Sequence, residues 1–122
     1  MSAHNQNPNH FIRLYRATGY SIQGLKSTFQ HEQAFRLEAY ILLILLPLAL
    51  WLAKTPLEFL LLIGSWLLVM VVELLNSAVE AAIDRIGMEK HELSGRAKDS
   101  GSAAVMISVL IALGVWMAVL LS

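Results

Sequence analysis

The chain has 122 residues, of which 57% are hydrophobic and 15% charged, and its formal net charge at pH 7 is zero. This composition indicates a small one-domain integral membrane protein, since soluble domains carry about 25% charged residues. A neutral chain has no basic field for nucleic acid, and the absence of cysteine excludes a disulfide framework, a thiolate nucleophile and a cysteine metal site.

Residues 1–10 are predicted to form a polar arm rather than a signal peptide, because they lack an early apolar core. Residues 11–29 have a helical period, in which Phe11 and Leu14 fall on one side and basic residues such as Arg13 on the other. The segment is too charged to span a bilayer. We therefore predict an amphipathic helix that lies in the bilayer interface, with its basic side chains toward lipid phosphates.

Three apolar stretches, 33–53, 56–87 and 94–121, are long enough to cross a membrane. The second begins with Thr-Pro-Leu-Glu at Thr55, which gives an N-cap, a proline at the first helical position and a glutamate at the third, as in a capping box. The third contains consecutive small residues at 101–104, which let helices pack closely in lipid. The predicted fold is all-α, with a surface helix and three membrane helices in a single domain after the polar arm.

A polar stripe runs along the second apolar stretch. On a helix of about 3.6 residues per turn, one narrow sector contains Glu73, Asn76, Ser77, Glu80 and Asp84. A charge placed in lipid costs roughly 3 kcal/mol, so aligned carboxylates there indicate a functional site. The alternative is an interhelical polar clamp or the exposed end of a long helix.

The distribution of lysine and arginine predicts the orientation of the chain. These residues are concentrated before the first stretch and between the second and third, whereas only Lys54 lies between the first and second. By the positive-inside rule, the amino terminus and the second loop are cytoplasmic and the carboxyl terminus lies across the membrane. Residues 57–72 give about 24 Å of helix, which places Glu73 near the cytoplasmic edge and Glu80 beyond it.

The same side carries carboxylates and cations from other segments. Glu32 and Glu38 precede the apolar part of the first stretch, and Lys98 and Asp99 precede that of the third. Several carboxylates near cations suit a hard cation such as Mg²⁺ together with the phosphates of a nucleotide. No phosphate-binding glycine loop or dinucleotide fingerprint occurs in the sequence, so a conventional nucleotide-binding fold is not indicated.

The tryptophans and the isolated histidines are assigned no chemistry. Trp51, Trp66 and Trp116 are interpreted as lipid-facing or interface anchors. His10 and His31 are interpreted as solvated side chains, because no His-x-x-x-His pair for zinc occurs in the sequence.

The runs Glu73-Leu-Leu-Asn-Ser-Ala-Val-Glu80, Asp84-Arg85 and His91-Glu-Leu-Ser-Gly-Arg-Ala-Lys-Asp99 closely resemble the prokaryotic integral-membrane diacylglycerol kinases. The resemblance implies three membrane helices and an amino-terminal surface helix, assembled as a homotrimer in the bacterial inner membrane. The implied activity is transfer of the γ-phosphate of MgATP to the hydroxyl of diacylglycerol, which gives phosphatidic acid.

The resemblance also implies roles for individual residues. Glu73 is then the catalytic base with Asn76 as its partner, and Glu32 and Glu80 are ligands of the Mg²⁺ that ATP carries. The implied nucleotide contacts are Arg13, Tyr20, Glu32, Glu80, Glu89, Lys90, His91, Lys98 and Asp99. The implied lipid contacts are Arg13, Ala17, Thr18, Gly19, Tyr20, Ser21, Ile22, Lys26, Ser27, Thr28, Phe29, Ala34, Phe35, Arg36, Leu37, Glu38, Trp51, Leu52, Ala53, Lys54, Phe59, Glu73 and Ser102.

Two other activities and a structural role are alternatives. The undecaprenol kinases share the Glu-Leu-Leu-Asn core, although the run from Glu92 to Asp99 matches the diacylglycerol branch better. A small proton-coupled transporter would explain Glu73 but neither its repeat at Glu80 nor the charged second loop. A purely structural membrane subunit would leave the interfacial carboxylates without a role.

Overall fold

The computed structural model describes residues 9–87 and 91–122. These residues form four helices, α1 (His10–His31), α2 (Gln33–Leu52), α3 (Pro56–Ile86) and α4 (Glu92–Leu121). By length and composition, α2, α3 and α4 can each cross a membrane. The predicted class, all-α with an amino-terminal amphipathic helix before three membrane helices, is confirmed.

The junction between α1 and α2 is a single residue in an extended conformation, Glu32, with φ −113° and ψ 109°. Its backbone N–H donates to the carbonyl of Thr28 at 2.8 Å. The guanidinium of Arg36 donates to the carbonyls of Phe29 and Gln30, both at 2.8 Å. Because the last carbonyls of a helix have no partner within it, this side chain satisfies the end of α1 from the first turns of α2.

The predicted start of α3 at Thr55 and Pro56 is confirmed, but the carboxylate at its third position binds the N–H before the N-cap instead of that of Thr55, so the capping box is not reciprocal. The hydroxyl of Thr55 accepts from the N–H of Glu58 at 3.1 Å, and Pro56 opens the helix. The carboxylate of Glu58 accepts from the backbone N–H of Lys54 at 3.0 Å. The Lys54 ammonium donates to the carbonyl of Ser122 at 2.7 Å, so the α2–α3 loop is tied to the end of α4.

The buried apolar cluster lies at this same end of the bundle. It is formed by Ala49 of α2, Leu62 and Ile63 of α3, and Val119 of α4. The partly buried residues packed around it are Leu42, Leu45, Leu46, Leu52, Ala53, Phe59 and Trp116. Because lipid is as apolar as leucine, a cluster within a membrane is held by close packing and interhelical hydrogen bonds rather than by the hydrophobic effect.

Two of the tryptophans supply such hydrogen bonds. Trp116 of α4 donates its indole N–H to the carbonyl of Leu62 at 3.0 Å, and Trp66 of α3 donates to the carbonyl of Glu38 at 2.9 Å. Trp66 and Trp116, interpreted from the sequence as lipid-facing or interface anchors, are partly buried and also join neighbouring helices. Trp51 differs from them, because 81% of it is exposed.

The chain alone covers little of its apolar surface. Within the most apolar window of each membrane helix, 28% of the residues are buried in α3, 17% in α4 and 11% in α2. Many of the remaining large apolar side chains are exposed, and lipid or other protein must cover them.

We expect Trp116→Phe to lower the free energy of unfolding by about 1 kcal/mol, because it removes one interhelical hydrogen bond and keeps an aromatic ring. Denaturant titration in detergent micelles measures this change. Trp51→Phe is the matched control, since its ring is exposed. Equal stability of the two variants would contradict the role of the Trp116 bond.

Candidate active site

The polar stripe on α3 passes from the interior of the bundle to its surface. Glu73 is 7% exposed and Ser77 is also buried, whereas Asn76 and Glu80 are half-buried. Asp84, nearest the end of the helix, is exposed. A carboxyl group as buried as that of Glu73 needs polar partners, because burial without them is costly.

The amide of Asn76 connects two of these carboxylates. Its Nδ2 atom donates to Glu80 Oε1 at 3.0 Å and to Glu73 Oε2 at 3.4 Å, the second bond being long. Residues three and four positions apart lie on the same helix face, so Asn76 reaches backward to Glu73 and forward to Glu80. The two N–H groups of one amide therefore link carboxylates about two turns apart along α3.

The carboxyl group of Glu73 lies close to that of Glu38 on α2. Glu38 is 8% exposed, and its backbone carbonyl accepts the indole bond from Trp66. Trp66 thus fixes α2 against α3 near the point where the two acidic side chains meet. Two ionised carboxyl groups this close repel each other, so the pair favours a cation nearby.

Three buried side-chain atoms at this site have no hydrogen-bond partner among the residues that the structure describes. They are Oε1 of Glu38, Oδ1 of Asn76 and Oγ of Ser77. Most buried polar atoms in proteins are paired, and an unpaired one costs about 1–3 kcal/mol. Their concentration beside Glu73 is typical of a site that completes its contacts with a polar ligand.

A lysine side chain lies beyond Glu80, toward the end of α3. Lys98 of α4 lies 3.0 Å from Asp84 Oδ1, and the two side chains are 44% and 57% exposed. An ion pair this exposed contributes little to stability. Its consequence is positional, because Asp84 holds the Lys98 ammonium on the α3 side of α4 while leaving it accessible to an anion.

The remaining predicted nucleotide contacts are exposed side chains or lie outside the described residues. Arg13 and Tyr20 are exposed on α1, and Asp99 is exposed on α4. His91 is the N-cap of α4, where its Nδ1 atom accepts from the N–H of Leu93 at 3.1 Å. Glu89 and Lys90 lie outside the residues that the structure describes.

The predicted metal ligands come from separate parts of the chain. Glu80 belongs to the stripe, whereas Glu32 is half-buried at the α1–α2 junction. Within residues 9–87 and 91–122, no three His, Asp or Glu side chains lie close enough together to hold a metal ion. Mg²⁺ that arrives on a nucleotide needs only one or two protein carboxylates, because phosphates and water supply its other ligands. The carboxylates present fit such an ion.

The predicted lipid contacts fall into two groups. Those on α1 and the first turns of α2, with Ser102, lie toward the Glu73 end, where a cavity of about 350 Å³ opens between the helices. The cavity is lined by Leu25, Lys26, Phe29, Gln30, Phe35 and Met70. The second group, the stretch 51–54 with Phe59, lies at the opposite end, because Phe59 and Glu73 are separated by about 21 Å of α3.

Several of the predicted lipid contacts, from both groups, have structural partners within the chain. Arg36 binds the carbonyls at the end of α1, Lys54 binds the carbonyl of Ser122, and Phe59 packs on the apolar cluster. Sequence reasoning missed Met70 as a cavity residue, because its helical position resembles that of any lipid-facing residue. It also missed Trp66, whose contact with Glu38 depends on how α2 and α3 pack.

Comparison with known proteins agrees with this chemistry. The family described as "Prokaryotic diacylglycerol kinase" matches residues 19–120. The chain is 57% identical to a diacylglycerol kinase of Haemophilus influenzae over 103 residues, which cover 84% of this chain and 87% of that protein. It is 50% identical to one of Escherichia coli over 110 residues, 90% of each chain. It is 42% identical to one of Pseudomonas aeruginosa over 109 residues, 89% of each chain.

Proposed function

This chain belongs to the prokaryotic diacylglycerol kinase family and is an ATP-dependent lipid kinase, and we propose that it moves the γ-phosphate of ATP onto the hydroxyl of diacylglycerol at the site around Glu73. The product is phosphatidic acid. The main structural support for placing the activity here is the pair of hydrogen bonds from the Asn76 amide, which joins the buried Glu73 to the more exposed Glu80. One carboxylate is thus available toward the lipid and the other toward the nucleotide.

Glu73 is proposed as the general base. Its carboxylate is buried beside α2, where water is largely excluded, at a depth that suits a glycerol hydroxyl held at headgroup level. Asn76 binds Oε2 and so fixes the orientation of the group. Positioned in this way, Glu73 accepts the proton of the hydroxyl as its oxygen attacks the γ-phosphorus.

Glu80 and Glu32 are proposed to bind the Mg²⁺ that accompanies ATP. Bound there, the ion neutralises charge that develops on the transferred phosphoryl group. Glu80 is half-buried at the outer end of the Asn76 bridge, so its remaining carboxylate oxygen can face an incoming nucleotide. Glu32 lies at the junction of α1 and α2, on the same side of the predicted membrane.

Lys98 is proposed to bind phosphate oxygens, with Arg13, Tyr20, His91 and Asp99 as further nucleotide contacts. The half-exposed Lys98 ammonium already faces a carboxylate, Asp84, at 3.0 Å. A phosphate oxygen carries the same kind of charge-assisted hydrogen bond, so it can take the place of the Asp84 oxygen or share the ammonium with it.

The lipid is proposed to enter beside the cavity between α1, α2 and α3. Phe29, Phe35 and Met70 offer an apolar wall, and Lys26 places a cation beside it. This combination suits the boundary between an acyl chain and a polar headgroup. Residues 51–54 and Phe59, at the far end of α2 and α3, are too distant to touch the glycerol in the same chain.

The site is proposed to face the cytoplasm, in the cytoplasmic membrane of a bacterium. Lysine and arginine are concentrated on the Glu73 side of the helices, and only Lys54 lies in the α2–α3 connection at the other end. ATP is available on the cytoplasmic side, so the orientation and the activity agree. The carboxyl terminus then lies across the membrane.

We also propose that the working enzyme is a homotrimer with sites built between subunits. In one chain the apolar helix faces are uncovered, and small side chains at Ala78, Ala81, Ala103 and Ala104 are exposed. Small residues of this kind allow close approach of helices in lipid. A cyclic assembly would repeat one heterologous interface and bring the acidic face of α3 toward a neighbouring subunit.

The test of the proposed function separates it from the alternatives. Purified protein in mixed micelles is given Mg²⁺, ATP radiolabelled on the γ-phosphate and either diacylglycerol or undecaprenol. Label is expected in phosphatidic acid. Label in the prenol alone would identify an undecaprenol kinase, and label in neither lipid would refute the proposal. The proton-coupled transporter is not proposed, because the chain belongs to a kinase family.

In this assay, Glu73→Gln is expected to lower kcat by about 10²-fold or more, because it keeps the shape of the side chain and removes the proton acceptor. MgATP binding should be largely retained. Glu58→Gln is the matched control, with the same substitution on the same helix about 22 Å away. Near-normal kcat for Glu73→Gln would rule out its role as the base.

Glu80→Ala is expected to raise the concentrations of Mg²⁺ and of MgATP needed for half-maximal rate together, because the nucleotide binds as its metal complex. Titration of each at saturating lipid measures the effect. Glu92→Ala, which removes an exposed carboxylate from the first turn of α4, provides the comparison. If Glu80→Ala titrates with Mg²⁺ as the parent does, Glu80 is not a ligand.

Mixing experiments test the shared site. Glu73 lies on α3 at the proposed lipid end of the site, whereas Lys98 belongs to α4 at its proposed nucleotide end, so Glu73→Gln and Lys98→Ala damage different halves of the site. When the two inactive variants are unfolded and reassembled together, part of the activity should return, since some interfaces then collect both intact halves. With mixing verified, a sample no more active than the separate variants would place the whole site in one subunit.

A further inference from the structure

The backbone of α4 approaches the Asn76 side chain at Gly101. A Cβ atom added to Gly101 would overlap Asn76 Oδ1. The same construction at Gly64 of α3 and Gly114 of α4 meets no atom of residues 9–87 and 91–122 within 4 Å. The space that a side chain at Gly101 would fill is therefore occupied by the Asn76 amide, which joins Glu73 to Glu80.

The contacts of Asn76 leave its amide one orientation. The Nδ2 atom donates to oxygens of both Glu73 and Glu80, and only this end of the amide can donate. The opposite atom, Oδ1, must then point away from both, and it lies against Gly101, buried and with no hydrogen-bond partner among the described residues. Space for Oδ1 is thus a condition for the bridge.

The rest of the small-residue stretch does not share this contact. Ser102, Ala103 and Ala104 have exposed side chains in the chain. The sequence predicted that all of 101–104 serve helix packing. Gly101 differs from its neighbours because it faces a polar side chain of the site.

We propose that Gly101 is a positioning residue for phosphoryl transfer, which acts by leaving room for the Asn76 amide to hold Glu73 and Glu80 together. This inference rests on the proposed kinase function. A methyl group at Gly101 meets the end of a side chain rather than backbone, so α4 can stay in place while the amide moves. The fold is then kept and the bridge is lost.

The experiment compares Gly101→Ala with Gly114→Ala, an identical change on the same helix. In the mixed-micelle assay, Gly101→Ala should lower kcat on the order of 10²-fold, the scale of a 1 Å misplacement at a catalytic group. Gly114→Ala should keep kcat within about twofold of the parent. Both variants should elute as the parent does and unfold at similar temperatures.

A spectroscopic signal tests the mechanism independently of activity. The chain has four asparagines, and Asn76 is the only one after residue 9, so selective ¹⁵N-asparagine labelling leaves few side-chain amide signals to assign. The signal that disappears in Asn76→Ser belongs to Asn76. Gly101→Ala should shift that signal strongly, and Gly114→Ala should leave it unchanged.

The two measurements distinguish failure of this inference from failure of the proposed function. A parent protein that phosphorylates no lipid would refute the function. An active parent with normal kcat in Gly101→Ala would overturn the role of Gly101 and leave the function standing. Loss of kcat without a shift of the Asn76 signal, or a Gly101→Ala variant that does not fold, would also overturn it, because the contact would then serve packing alone.

Discussion

The amide of Asn76 holds together two acidic side chains of one helix face that would otherwise repel each other. The other parts of the site lie on either side of this bridge. On its inner side, Glu73 meets Glu38 of α2, and on its outer side, Glu80 leads toward the pair of Asp84 and Lys98. Each hydrogen bond from the amide sets the position of one carboxylate. A small rotation of the Asn76 amide therefore changes the positions of both Glu73 and Glu80.

The two ends of the bundle divide stability and chemistry between them. The apolar cluster around Leu62, the indole bond of Trp116 and the contact of Lys54 with the last residue all lie at the end away from Glu73. The Glu73 end instead has buried polar atoms that find no partner in the part of the chain that the structure describes, at a cost of about 1–3 kcal/mol each. Such a cost is tolerated where the rest of the fold is stable, and it leaves the site ready to bind a polar ligand.

Much of the architecture follows from the sequence because it depends on local rules. Apolar length determines that α2, α3 and α4 can span a membrane, and the Thr55 to Glu58 motif determines where α3 begins. Helical spacing alone aligns Glu73, Asn76 and Glu80, since positions three and four apart share a face. The family, too, was recognisable from this stripe and the run after His91.

The remaining features depend on residues far apart in the chain, which no helical period relates. The packing of α2 on α3 brings Glu38 close to Glu73 and lets Trp66 join the two helices. The packing of α4 on α3 does the same for Trp116 and sets Gly101 against Asn76. By itself, the sequence determined the helices, their membrane character and the polar stripe, because these follow from composition and from the 3.6-residue turn. Only the tertiary structure decided which atoms of the stripe face a neighbouring helix, because a rotation or shift of one helix against another leaves every local pattern unchanged.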